Sequence, residues 1–206
     1  ISASHNPLPY NGLKLFSSAG RVLPAKAGQS VLEAYRQLAP TWKAFEAIGG
    51  IGPLVDSSSE HLQRVLGTVD GEAIRRSRFR ALLDSNSGAG SVLGTRLLNE
   101  LGCEATLLGS EPSGRFLHPP EPTAENLAGV RQQVVDSKAA VGFCQDPDAD
   151  RLAIIDENGR YIGEECTLAI CLDHVLRERP GPIVTNCATS RMAEDLAAKY
   201  GVPFHR

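Results

Sequence analysis

Two short polar motifs, one at the start of the chain and one well beyond its middle, constrain the fold most strongly. The first holds Ser4, a hydroxyl nucleophile, with Lys14 a few residues later. The second, residues 146–151, holds three carboxylates at alternate positions. A serine that carries a phosphoryl group and a divalent cation that neutralises it would need both motifs. We therefore expect a fold that brings these distant segments together at one site.

The carboxylate motif predicts a site for a hard cation. Asp146, Asp148 and Asp150 alternate with a proline and an alanine, neither of which can be a ligand. An alternation of period two places three carboxylates on one side of an extended segment, where they repel one another unless a cation offsets the cost. Oxygen ligands select Mg²⁺, Mn²⁺ or Ca²⁺ over Zn²⁺. The guanidinium of Arg151 could hold a phosphate beside the metal.

Other interpretations of this motif stay open. An EF-hand loop also has acidic residues at positions 1, 3 and 5, and Glu157 falls at position 12. However, Arg151 stands where that loop needs a glycine, and the next residues read as a strand rather than a helix. A solvated acidic loop is the plainest alternative. A phosphatase with an aspartate nucleophile would need its Asp-x-Asp-x-Thr segment near the first strand, which is not where these carboxylates lie.

The serine segment is weaker evidence when taken alone. A serine hydroxyl is a poor nucleophile until a base or a cation activates it, and His5 or Lys14 could serve. The purely structural alternative is that Ser4 is a capping serine on a surface turn. The Gly-x-Ser-x-Gly elbow of hydrolases is absent, and neighbouring residues rarely pair as nucleophile and base, so a hydrolase triad is disfavoured.

The hydrophobic pattern predicts an α/β fold with a mixed sheet. Residues 13–23 read as a hairpin, residues 25–38 as a helix and residues 39–60 as an irregular linker. Four strands and three helices follow, the strands at 79–83, 104–108, 139–144 and 152–156, the helices at 61–76, 91–101 and 123–137. A further unit then begins, with helices at 165–177 and 190–200 around a strand at 183–185.

Composition excludes some classes of protein. The net charge of −3 disfavours a nucleic-acid binder, which usually has a basic excess. No apolar run approaches the length of a membrane span, so no membrane partner is expected. Five scattered cysteines indicate reduced thiols in a cytoplasmic protein. Both ends of the chain read as parts of a longer protein, and no pattern indicates an oligomeric state.

Taken together, three segments resemble the α-D-phosphohexomutase superfamily, which includes phosphoglucomutase, phosphomannomutase and phosphoglucosamine mutase. They are residues 2–7 with 11–14, residues 119–127 and residues 146–151. The resemblance implies layered α-β-α domains with mixed sheets. Residues 1–60 would then be the latter part of domain 1, residues 61–163 all of domain 2 and residues 164–206 the start of domain 3.

The resemblance also assigns roles to residues. Ser4 would be the phosphorylated serine, and its phosphate would bind Mg²⁺ together with the carboxylates of Asp146, Asp148 and Asp150. Arg151 would contact phosphate or substrate. His5 and Lys14 would assist proton transfer to and from the sugar hydroxyl.

The implied reaction moves a phosphoryl group between the 1- and 6-positions of a hexose phosphate through a hexose bisphosphate. Two features depart from the commoner family pattern: Pro147 and Ala149 replace glycines of the metal loop, and the later sugar-recognition and phosphate loops are not found. We therefore expect these 206 residues alone not to isomerise a sugar phosphate. Residues 119–127 favour a glucosamine or mannose phosphate, by resemblance only.

Overall fold

A four-stranded mixed sheet forms the centre of the molecule. The computed structural model describes residues 2–38, 41–53 and 55–206. The strands are β1 (Arg80–Asp84), β2 (Glu104–Leu108), β3 (Val141–Gln145) and β4 (Leu152–Asp156). Their order is β2-β1-β3-β4; β1 is parallel to both of its neighbours, and β4 is antiparallel to β3. The mixed sheet expected from the sequence is therefore confirmed.

Two helices cover opposite faces of this sheet. Side chains of a strand point alternately to its two faces. Ala81 and Leu83 of β1 therefore pack with Leu98 of α4 (Gly90–Glu100), whereas Leu82 packs with Val134 of α5 (Ala128–Asp136). Leu82 is fully buried, and burial of such a side chain stabilises the fold by roughly 2 kcal/mol. The result is the expected three-layered α/β/α arrangement.

The N-terminal region precedes the sheet. Its short hairpin pairs Phe16 with Val22, and α1 (Ala25–Gln37) follows. Of the predicted linker, residues 39, 40 and 54 lie outside the described residues. The described remainder is irregular except for a short 3-10 helix (Phe45–Ala47) and the first residues of the next helix, which begins at Ser58.

Two of the predicted helices have different bounds. The single helix predicted over 61–76 is wrong: the chain forms α2 (Ser58–Leu66) and α3 (Gly71–Ser77), because Asp70 caps α3 by accepting the Ala73 N–H at 2.9 Å. The helix predicted from Thr123 begins only at Ala128. Residues 124–127 instead form turns.

The third unit packs beside β4. It consists of α6 (Glu164–Glu178), β5 (Ile183–Val184), α7 (Met192–Tyr200) and β6 (Phe204–His205). Strands β5 and β6 are parallel, and Leu176, Ile183 and Ala197 form its core. The Thr167 hydroxyl of α6 donates to the Leu152 carbonyl at 2.6 Å, which ties this unit to the central sheet. No helix among the described residues is long and apolar enough to cross a membrane.

A buried ion pair fixes the loop that follows β2. Asp84, fully buried at the end of β1, lies 2.8 Å from the Nε2 of His118. The Asn86 side chain accepts hydrogen bonds from the backbone N–H groups of Leu117 and His118. Burial opposes protonation of His118, but the hydrogen bond and charge of Asp84 outweigh it, so the pKa of His118 is raised.

This pair predicts a pH-dependent stability. Because the pKa of His118 is higher in the folded chain, its contribution is complete below about pH 6.5 and is lost as the pH rises through the folded value. We expect His118→Gln to lower the free energy of unfolding by about 1 kcal/mol more at pH 5.5 than at pH 8.5. Urea denaturation at both pH values measures this difference.

The exposed His61 gives a matched control, since His61→Gln should cost little at either pH. A cost of His118→Gln that stayed constant or grew with pH would contradict the assigned role of the pair.

Candidate active and metal site

The three carboxylates converge in the loop that joins β3 to β4, residues 146–151, called the aspartate loop below. One oxygen from each of Asp146, Asp148 and Asp150 lies within 4.8 Å of the others. The loop is a turn, closed by the Ala149 N–H donating to the Asp146 carbonyl at 3.0 Å, and Ala149 has a φ of 58°. The extended segment predicted from the alternation is therefore wrong. A turn, not a strand, gathers the carboxylates.

Burial in this loop falls from its first carboxylate to its last. Asp146 is fully buried, Asp148 is half-buried and Asp150 is exposed. Asp146 Oδ2 and Asp148 Oδ1 are buried with no hydrogen-bond partner among the described residues. Leaving such oxygens unpaired is costly, and oxygen ligands are what hard divalent cations prefer. The residues present therefore fit a divalent cation, whereas a solvated acidic loop would not bury a whole carboxylate.

The pKa values of Asp146 and Asp148 are shifted in opposite directions. Burial, together with nearby Asp148, raises the pKa of Asp146 to about 6, although the Arg151 N–H donates to its Oδ1 at 3.1 Å. Burial also acts on Asp148, but hydrogen bonds from Lys14 and Ser2 outweigh it and lower the pKa of Asp148. The protein thus compensates the charge of Asp148 from within. Among the described side chains Asp146 has no such cationic or hydroxyl partner, so a bound cation would compensate its charge.

The serine segment meets the aspartate loop at Asp148. The Ser2 hydroxyl donates to Asp148 Oδ2 at 2.6 Å and accepts the Ser4 N–H at 2.9 Å. Lys14 Nζ lies 2.8 Å from Asp148 Oδ2 and 3.5 Å from an oxygen of Asp150. The two motifs therefore adjoin. The hydrogen bond between Ser2 and Asp148 could not be predicted from sequence, because it joins two segments that only the fold brings together.

The predicted nucleophile occupies a strained position. Ser4 has a φ of 50°, in the left-handed region that non-glycine residues rarely adopt. Its hydroxyl lies 3.3 Å from His5 Nδ1, so these neighbours do face each other despite the sequence-based expectation. The hydrogen bond from the Ser4 N–H to Ser2 helps to hold this backbone conformation.

Arg151 points to carboxylates from two other elements. One guanidinium nitrogen lies 3.6 Å from Glu121 Oε1 and 3.9 Å from Glu164 Oε2, at the start of α6. Neither glutamate could be identified from sequence, since each comes from a separate part of the chain. A second oxygen of Glu164 is buried without a partner among the described residues. Arg151 is thus held at the edge of the aspartate loop.

The bridging role of Ser2 is testable through the amide that it holds. Ser2→Ala removes the acceptor of the Ser4 N–H and one partner of Asp148. We expect the Ser4 amide to exchange its hydrogen roughly tenfold faster, which corresponds to about 1.4 kcal/mol. Amide exchange followed by NMR measures this change. Ser18→Ala, on the exposed hairpin turn, is the control, and equal exchange in both variants would contradict the bridge.

Comparison with known proteins agrees with this geometry. Residues 59–159 match the family model described as phosphoglucomutase/phosphomannomutase, alpha/beta/alpha domain II, and residues 1–41 match alpha/beta/alpha domain I of the same family. A phosphoglucomutase/phosphomannomutase of Thermococcus kodakarensis is 38% identical over all of this chain and 45% of its own length. A probable phosphoglucosamine mutase of Methanosarcina acetivorans is 33% identical over 95% of this chain and 44% of its own length.

A solved structure has the same fold. The putative phosphomannomutase of Thermus thermophilus superposes with a TM-score of 0.80 at 22% identity, over 99% of this chain and 46% of that one. The chain therefore spans less than half the length of these relatives. The two family models, the relatives and the shared fold together show that the chain belongs to the phosphoglucomutase/phosphomannomutase family, whose members are isomerases.

Proposed function

We propose that this chain supplies the phosphoserine and the metal site of a Mg²⁺-dependent phosphohexomutase. The observation that carries the proposal is the junction at Asp148, where Ser2 and Lys14 of the serine segment bind a loop with two unpartnered, buried carboxylate oxygens. Because the chain spans less than half of its relatives, the activity is proposed for the whole enzyme.

The metal would be held by oxygen atoms alone. Asp146, Asp148 and Asp150 would bind it together with the phosphate on Ser4. Mg²⁺ is the cation that suits carboxylates combined with a phosphate. When bound, it would neutralise charge that develops on the transferring phosphoryl group.

Residues of this chain would handle the proton and the phosphate. In the first transfer the bond from phosphorus to Ser4 Oγ breaks and a bond to the sugar hydroxyl oxygen forms. The hydroxyl proton would pass to the imidazole of His5 once the phosphorylated serine and the sugar are in place, and His5 would return it in the reverse transfer. The hydrogen bond to Asp148 raises the pKa of Lys14, so this side chain is a cation that can donate a proton to the serine oxygen but cannot accept one.

The reverse transfer would complete the reaction. A hexose bisphosphate, formed by the first step, would return the phosphoryl group of its other position to Ser4, leaving the isomeric hexose phosphate. Arg151, now beside Glu121 and Glu164, would contact the phosphate or the sugar. The names of the relatives favour glucose, mannose or glucosamine phosphates as the substrate class. We also propose the division into units 1–60, 61–163 and 164–206.

The phosphoserine can be tested by mass. We expect the purified whole enzyme to carry one phosphate after incubation with a hexose bisphosphate and Mg²⁺, and fragmentation to locate it on Ser4. Ser4→Ala should abolish both the adduct and mutase activity, by at least a thousandfold. Ser18→Ala is the control. A phosphate on Asp146 or Asp148 would favour an aspartate-nucleophile phosphatase, and no adduct would leave only a binding function.

The metal site predicts two effects of opposite sign for Asp146→Asn. Without metal, the amide should stabilise the fold by roughly 1 kcal/mol at pH 7.5, because burial disfavours the carboxylate. Binding of Mg²⁺ or Mn²⁺ should weaken at least tenfold. Denaturation and titration calorimetry measure the two effects.

Asp195→Asn, on the exposed face of α7, is the matched control and should change neither quantity. A loss of stability in the metal-free Asp146→Asn protein, or unchanged metal affinity, would contradict the proposed site.

A further inference from the structure

A glycine-rich turn lies directly beneath the aspartate loop. Residues 85–90, called the glycine turn, join β1 to α4 and lie far from the aspartate loop in sequence. The Ala89 N–H donates to the Pro147 carbonyl at 2.7 Å. Ser85, almost fully buried, donates its hydroxyl to the Gln145 side chain at 2.9 Å, just before Asp146. The two segments are therefore bonded at both ends of their contact.

Two glycines allow this close approach. A Cβ on Gly88 would lie 2.4 Å from the carbonyl oxygen and 2.6 Å from the Cα of Pro147, which are backbone atoms that cannot move aside. A Cβ on Gly90 would lie 2.5 Å from the Ala149 Cβ and 2.6 Å from Gln145 Oε1. The Gln145 amide ends a flexible side chain and can rotate away at the cost of its hydrogen bond from Ser85, whereas the methyl group of Ala149 is fixed to the loop backbone.

Ala149 is the residue that makes this contact tight. Its φ of 58° is one that L side chains rarely adopt, so its methyl group is held toward Gly90 by the same turn that gathers the carboxylates. Asp148 and Asp150 flank it directly. Any shift of Ala149 therefore moves both carboxylates relative to Asp146.

We infer that the glycine turn positions the aspartate loop, and that the space left by the absence of a side chain at Gly90 accommodates the methyl group of Ala149. Gly88 and Gly90 are then positioning residues, which touch neither metal nor sugar. This inference deepens the proposed function, since it rests on a cation binding at the aspartate loop.

The fit between Gly90 and Ala149 can be tested by asking whether a second substitution, at Ala149, reverses the effect of the first, at Gly90. Five variants of the protein are needed. Three are Gly90→Ala, Ala149→Gly and their combination, and two are the matched controls, Gly88→Ala with and without Ala149→Gly. The first readout, without metal, is hydrogen exchange at the Ala89 and Arg151 amides, which bond to Pro147 and Asp146. The second readout is Mn²⁺ affinity by calorimetry.

We expect Gly90→Ala to speed exchange at both amides and to weaken Mn²⁺ binding, each by about tenfold or more. Ala149→Gly alone should stay within about threefold of the unmodified protein, and the combination should return to within about threefold of Ala149→Gly. Gly88→Ala should not be rescued by Ala149→Gly, because its clash is with the Pro147 backbone.

Three results would overturn the inference: normal exchange in Gly90→Ala, no recovery in the combination, or failure of both to fold. If Gly90→Ala alone fails to fold and the combination folds, the fit is supported. If the exchange pattern holds but the unmodified protein binds no Mn²⁺, the proposed function fails while the role of the glycine turn stands.

Discussion

The structure depends on holding three carboxylates together in a partly buried turn. Asp146 is buried while its charge is uncompensated, and Asp148 is kept ionised by Lys14 and Ser2. Such a group of like charges is unfavourable unless something opposes the repulsion. Among the residues that the structure describes, the opposing elements are one ammonium group, one hydroxyl and the backbone N–H of Arg151. A bound cation would supply the rest of the compensation to the two buried carboxylate oxygens that have no partner among the described residues, which is why we interpret the turn as a binding site.

The fold explains how this turn is built. Strand β3 is buried among its neighbours and ends at Gln145, so the next residue lies at the carboxyl edge of the sheet, where α/β proteins commonly bind ligands. Strand β1 ends at the same edge and delivers the glycine turn beneath the loop. The antiparallel return of β4 then closes the loop. The site is thus a consequence of strand order, with the serine segment added from outside the sheet.

Much of this arrangement could be predicted from sequence, and the failures have physical causes. Strands β2 and β4 have the predicted bounds, because short apolar runs between turn residues define them locally. The helix predicted from Thr123 begins later because the residues that follow this threonine form turns, and the Asn126 side chain ties them back to the Glu121 carbonyl at 2.9 Å. The prediction of an extended aspartate segment is wrong, because the segment folds into a turn. The role of Ser2 could not be predicted, because it depends on contact with Asp148, which is distant in sequence. The alternation of aspartates in the sequence shows which carboxylates can act together, but it does not show the backbone conformation that brings them together.

The central claim is that Ser4 and the three aspartates share one cation. The most direct measurement is anomalous diffraction from a crystal of the enzyme with Mn²⁺ bound and Ser4 phosphorylated. A shared cation would give a single strong peak about 2.1 Å from oxygens of Asp146, Asp148 and Asp150 and from an oxygen of the phosphoserine. A peak elsewhere, or one that contacts the aspartates while the serine lies in a separate crevice, would contradict it.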